Sequence, residues 1–329
     1  MAAQDLVDPF GRTIRDLRIS VTDRCNFRCT YCMPEEGMQW MPRSEILTFE
    51  EIERVARLFV ERFGVDGIRL TGGEPTVRAH LPVLVAKLSR LGVDMALTTN
   101  GATFRNLAHE LREAGLRRVN ISLDTLDRAK FEQMTRRDEL PAVLDGIDAA
   151  IEAGFDPVKI NAVVQRGVND DEIVPLARFG RERGVEIRFI EFMPLDADRA
   201  WSEGAVLTGA EVRALIERGH PLREREREPS ATARVFDFAD GRGQIGFINP
   251  VSEPFCADCN RLRLTAEGKL RTCLFSVHET DLREPLRDGA GDDEIAAVIR
   301  DAVWRKELKH HVGEPGFRPP PRSMSAIGG

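Results

Sequence analysis

The residues best suited to chemistry are six cysteines in two groups of three: Cys25, Cys29 and Cys32, then Cys256, Cys259 and Cys273. The first group lies in Arg24-Cys25-Asn26-Phe27-Arg28-Cys29-Thr30-Tyr31-Cys32, with three and then two residues between the thiols. Thiolates are soft ligands that suit zinc or an iron–sulfur cluster. A closed zinc site needs four ligands, and the next histidine along the chain is His80. Three thiolates on a four-iron cluster instead leave one iron open to a reactive ligand. Local spacing also admits a disulfide with a spare thiol, or zinc completed from elsewhere. The second group repeats the three-thiolate logic in Phe255-Cys256-Ala257-Asp258-Cys259-Asn260-Arg261-Leu262-Arg263, with Cys273 further on. Cys-x-x-Cys pairs commonly hold zinc, and His278 is close enough in sequence to complete such a site.

A net charge of −7 over 329 residues argues against general nucleic-acid binding and against a basic membrane-surface role. An anionic ligand must therefore be met by locally placed cations. Disulfides belong mainly to secreted chains, and Asp5, Asp8, Arg12, Arg15, Asp16 and Arg18 leave no apolar signal core near the start. No apolar run approaches a membrane span. The expectation is a cytoplasmic protein with reduced thiols.

The elements that must position these groups read as alternating strands and helices. Strand patterns cover 15–21, 67–71, 93–99, 118–123, 158–164 and 186–192. Helical patterns cover 81–91, 104–114, 129–134, 142–153 and 173–183, and another starts after Thr48, with Glu51 completing a capping box. Such alternation predicts an α/β fold with a parallel sheet and right-handed crossovers. Sequential order and similar unit lengths favour an incomplete barrel over a doubly wound sheet. The unusual residues lie at the C-terminal ends of the strands: the first cysteine group, Thr71-Gly72-Gly73-Glu74-Pro75, Thr98-Thr99-Asn100-Gly101, Ser122-Leu123-Asp124 and Glu191-Phe192-Met193-Pro194. In a parallel barrel these ends converge on one face. Beyond Pro194 the pattern predicts a helix at 209–218, a charged solvated connector at 222–229, strands at 233–238 and 244–248, and helices at 279–286 and 293–308. The proline-bearing tail, 313–329, is expected to be extended or mobile.

The first cysteine spacing, followed one βα unit later by the Gly72-Gly73 loop, closely resembles the radical S-adenosylmethionine (SAM) superfamily. That resemblance implies a partial (β/α)6 TIM-like barrel over 1–200, a [4Fe–4S] cluster on Cys25, Cys29 and Cys32, and SAM contacts at Tyr31, Gly73, Ser122 and Met193. The second trio, the Arg-x-Arg after it and the terminal Gly328-Gly329 are similar to the GTP 3′,8-cyclase family of molybdenum-cofactor biosynthesis, with the match running from Gly11-Arg12 to Gly329. This implies a smaller extension, 201–329, with a second [4Fe–4S] cluster on Cys256, Cys259 and Cys273. Implied GTP contacts are Arg18, Arg69, Thr98, Lys159, Arg261, Leu262 and Arg263. Arg18, Arg69 and Lys159 interrupt strands that otherwise read as buried, so they are expected to face the barrel lumen.

Arg188 is a similar residue, and with Gly328 and Gly329 it is expected to serve catalysis. The implied reaction removes the ribose 3′ hydrogen of GTP and closes C3′ onto C8, giving 3′,8-cyclo-7,8-dihydro-GTP. Implied partners are a flavodoxin- or ferredoxin-type electron donor, the downstream cyclic pyranopterin monophosphate synthase and a second copy of the chain. A peptide-modifying radical SAM enzyme and a non-enzymatic iron–sulfur or zinc protein are the competing readings.

Overall fold

The computed structural model describes residues 4–196 and 198–328. Its strands are β1 (Asp16–Ser20), β2 (Gly67–Thr71), β3 (Asp94–Thr99), β4 (Arg118–Ser122), β5 (Val158–Val164), β6 (Glu186–Glu191), β7 (Leu222–Glu224), β8 (Arg234–Phe238), β9 (Gln244–Ile248), β10 (Arg261–Leu264), β11 (Lys269–Arg271) and β12 (Thr280–Asp281). The α-helices are α1 (Phe49–Arg57), α2 (Leu81–Ser89), α3 (Ala108–Glu113), α4 (Arg128–Thr135), α5 (Leu140–Glu152), α6 (Ile173–Arg183), α7 (Gly209–Glu217), α8 (Arg283–Arg287), α9 (Asp292–Trp304) and α10 (Met324–Ile327).

All strands join one twelve-stranded sheet in the order β12-β11-β10-β1-β2-β3-β4-β5-β6-β9-β8-β7. The expected strands β1 to β6 run in sequential order and pair in parallel. Two more parallel strands come from the C-terminal part: β10 pairs with β1, and β9 with β6. Antiparallel hairpins flank both ends, so the sheet curls toward a barrel without closing. No helix among the described residues is long and apolar enough to cross a membrane.

Strand alternation sorts side chains into two populations. Leu17 and Ile19 of β1 are fully buried in the main apolar core, with Ile52 and Val55 of α1 and Leu84 and Leu88 of α2. Arg18 lies between them and takes the opposite face. The helix starts follow local chemistry. At α1 the Thr48 hydroxyl accepts from the Glu51 amide at 3.1 Å, and the Glu51 carboxylate accepts from the Thr48 amide at 2.7 Å; this satisfies two amides that the helix cannot pair.

Four expectations need correction. The charged stretch at 222–229 is not all connector: Leu222–Glu224 forms β7 against β8, with Arg223 facing Asp237. Alternating charge has period two, which suits a strand as well as a solvated run. The helix expected at 104–114 breaks into a 3-10 turn, Phe104–Asn106, before α3. The one expected at 279–286 opens with β12 instead. The tail is docked: Ile327 is fully buried in a second apolar cluster with Leu195, Phe275 and Val312. Apolar burial outweighs the cost of ordering the proline-bearing segment.

Candidate active site

The strand ends open into one cavity of about 320 Å³, lined by all six cysteines. At one end, the loop after β2 lies flush on the chain leading into Cys25. The Gly73 amide donates to the Thr22 carbonyl at 2.9 Å and the Glu74 amide to the Arg24 carbonyl at 2.7 Å. A Cβ on Gly73 would sit 2.4 Å from the Arg24 carbonyl oxygen, and one on Gly72 2.5 Å from that of Thr22. Only glycine permits this approach.

The Glu74 carboxylate is committed to the protein's own donors. It is 1% exposed. It accepts from the Thr76 amide and hydroxyl, the Thr99 hydroxyl and the Asn100 amide at 2.6–3.0 Å. Four donors occupy it, so it fastens the ends of β2 and β3 together.

Tyr31 reaches across to the end of β4, where its hydroxyl donates to Asp124 at 2.6 Å. The other Asp124 oxygen accepts from the Val163 amide of β5 at 2.8 Å, and burial pushes the Asp124 carboxyl up to about 6. Asp124 is a site residue whose role the sequence did not disclose, because its partner lies 93 positions away. Ser122 and Met193 line the same cavity, and Met193 also packs on the second apolar cluster.

The deeper wall is cationic. Register places Arg18 beside Arg263 on one side and Arg69 on the other, a row of three guanidiniums on adjacent strands. Arg188 and Arg261 also line the cavity, with Thr98, Asn120 and Asn161. Arg188 Nε donates to Glu186 at 2.6 Å, and Lys159 Nζ is 3.4 Å from the other oxygen of that carboxylate. Buried donors remain without hydrogen-bond partners among the described residues: Arg18 Nε, Arg69 Nε and Nη1, and Arg261 Nη1. Burial and the neighbouring Arg18 disfavour charge on Arg69. A guanidinium keeps its proton regardless, so the row calls for an anionic acceptor.

Two expected residues stand apart from this lining. The Leu262 side chain is fully buried in the main core, because strand alternation turns it away from Arg261 and Arg263. Lys159 sits lower on its strand, against Glu186. Against the ends of β1 and β2, at Ser20 and Thr71, Gly328 takes a left-handed φ of 75°. A Cβ there would lie 2.2 Å from Ser20 Oγ, and its carbonyl accepts from Arg263. Gly329 lies outside the described residues.

Residues 19–180 match the family model of the radical SAM superfamily, and 185–312 that of Molybdenum Cofactor Synthesis C. A GTP 3′,8-cyclase of Rhodopirellula baltica is 53% identical over 98% of this chain and 92% of that protein. This chain belongs to the GTP 3′,8-cyclase family. A Mycobacterium tuberculosis relative, GTP 3′,8-cyclase 2, is 47% identical over 98% of the chain and 92% of its own length. The fold is shared more widely. Streptococcus suis SuiB bound to S-adenosylmethionine superposes with a TM-score of 0.60 at 16% identity, covering 87% of this chain and 69% of that one.

The cysteines fit the groups that a GTP 3′,8-cyclase requires. All six are free thiols, which removes the disulfide reading. Burial pushes Cys25 up to about 12 and Cys32 to about 11, and Cys29 rises as well. As thiolates they therefore need a cationic centre between them. His278, which the sequence offered as a fourth ligand, is exposed and lies off the cavity lining. At the second trio burial raises Cys256 and Cys273. It acts on Cys259 too, but Arg261 and Lys306 overcome it and bring that thiol to about 6; Arg261 Nη2 lies 3.2 Å from the Cys259 sulfur.

Proposed function

We propose that this chain converts GTP to 3′,8-cyclo-7,8-dihydro-GTP by radical SAM chemistry, the first step of molybdenum-cofactor biosynthesis. The observation that carries the reading is one cavity with a cysteine trio at each end and a row of arginines between them. Cys25, Cys29 and Cys32 would hold the cluster that binds SAM; Cys256, Cys259 and Cys273 would hold the cluster that meets the guanine. When bound, the first cluster and SAM supply a 5′-deoxyadenosyl radical able to take the ribose 3′ hydrogen.

The chain's own residues do the rest by placement. Gly72 and Gly73 allow backbone to approach SAM, and Tyr31, fixed by Asp124, forms the wall beside it. Arg18, Arg69, Arg263 and Arg188 neutralise the triphosphate, whose fixed position holds C3′ at one end and the purine at the other. Planar guanidiniums suit this task because they make paired hydrogen bonds to phosphate oxygens. Gly328, seated on Ser20 beneath Arg263, closes the wall where a side chain would not fit. Enclosure protects the reaction from competing hydrogen donors.

The finer partners belong to the same reading: a flavodoxin- or ferredoxin-type electron donor, a downstream cyclic pyranopterin monophosphate synthase, a homodimeric state and a cytoplasmic location. The test mixes anaerobically reconstituted protein with SAM, dithionite and GTP. Deoxyadenosine formation that depends on GTP supports the cyclase. Formation independent of GTP points to another substrate, as a peptide-modifying enzyme would show. No deoxyadenosine at all points to an iron–sulfur carrier.

A further inference from the structure

The segment leaving α9 holds a cation for which substrate binding has no use. Lys306 is 3% exposed, although lysine is almost never fully buried unless paired. Its ammonium donates to the carbonyl oxygen of Arg261 at 3.1 Å and to that of Thr272. These carbonyls lie between the second and third cysteines of the group: Arg261 is two residues past Cys259, and Thr272 immediately precedes Cys273. Both hydrogen bonds go to neutral atoms, so the bonding partners do not cancel the charge. Its field reaches both Cys259 and Cys273.

The charge is also held in place. Arg12 donates to the carbonyls of Glu307 and Leu308 at 2.6 and 2.8 Å, and to that of Cys256 at 2.7 Å. It thereby clamps the segment bearing Lys306 to the first ligand of the trio. The charge of Arg12 itself is paired with buried Asp8 at 2.5 Å. The Glu307 carboxylate, held by the hydroxyls of Ser276 and Thr272 at 2.5 and 2.8 Å, keeps its charge and opposes Lys306 at Cys273. At Cys259 Lys306 instead acts in the same direction as Arg261, so it is a fixed cation behind that sulfur.

We propose that Lys306 is a positioning residue of the second site whose fixed charge raises the reduction potential of the iron–sulfur cluster bound there. Reduction adds one negative charge to a buried group. A cation behind the sulfurs stabilises the reduced form more than the oxidised one, and the dry surroundings enlarge the effect. The inference rests on the reading that Cys256, Cys259 and Cys273 hold a [4Fe–4S] cluster.

The test uses the full chain with Cys25, Cys29 and Cys32 replaced by alanine, so that only the second site loads. It is reconstituted with iron and sulfide and titrated potentiometrically with EPR detection. Lys306→Met should move the midpoint to more negative potential by at least tenfold in the reduced-to-oxidised ratio, about 59 mV for one electron. Lys306→Gln, which keeps a neutral donor to the carbonyls, should shift in the same direction, while Lys306→Arg stays near the parent. Full iron content with an unmoved midpoint in the Met and Gln variants overturns the proposal, as does an Arg variant shifted as far as Met. Iron lost from Met and Gln alike, but kept in Arg, also overturns it, since the charge would then serve assembly. A parent that loads no iron would instead sink the iron–sulfur reading itself.

Discussion

At Glu186 a single carboxylate holds both Lys159 and Arg188, and the three residues set a pH dependence. Burial, reinforced by Arg188, brings the Lys159 ammonium down to about 8. Its folded value lies below the unfolded one, so the unfolded chain holds this proton more tightly. The lysine therefore costs stability below about 8, and the cost fades as pH rises toward its ordinary value near 10.4. For an anionic ligand the sign reverses, because the useful charge disappears above about 8. GTP affinity, measured by calorimetry on protein with the second cluster loaded, should fall between pH 7 and pH 9.5. Lys159 stands off the cavity lining and acts through Glu186 and Arg188, so Lys159→Met should flatten that fall and weaken binding at pH 7 by less than about tenfold, the size of a charge acting at a distance. Gly73 makes a steric prediction. Gly73→Ala drives a Cβ onto backbone that cannot swing aside, so melting should show a loss of about 1–3 kcal/mol, with SAM binding at least tenfold weaker.

Among the elements, the tail and β10 act together. Arg263 on β10 holds the Gly328 carbonyl while also belonging to the arginine row, so the tail is seated by a residue that lines the cavity. Deleting Gly328 and Gly329 should abolish cyclisation while both clusters still assemble by iron and sulfide content; a truncated chain with full activity contradicts this role. The six central strands were legible because alternation and strand-end loops are local signals, and Arg18 and Arg69 stood out as charges inside apolar runs. The pairing of β10 with β1 and of β9 with β6 was not legible. A parallel partner more than two hundred residues away, as Arg261 is from Asp16, leaves no trace in local spacing. The same limit hid the Tyr31–Asp124 bond and the carboxylate of Glu74, whose donors come from two strand ends. Leu262 was named as one of three consecutive residues, and alternation turns its side chain into the core, so a contact from it would come from its backbone.

For the whole molecule, the C-terminal part supplies the strands that cover both edges of the six-stranded unit. Without it β1 and β6 would present open edges, which invite aggregation. The full chain should therefore melt in one cooperative calorimetric transition, and a fragment of residues 1–200 should elute as aggregate on size exclusion. A monodisperse fragment with its own sharp transition would show the two parts to be independent. The central claim is that the single cavity brings the SAM end within reach of the GTP ribose. It is tested most directly with GTP deuterated at the 3′ position, followed by mass spectrometry of the deoxyadenosine released by reconstituted enzyme. The account predicts that one deuterium appears in deoxyadenosine. Deoxyadenosine formed at full rate without that label would contradict it.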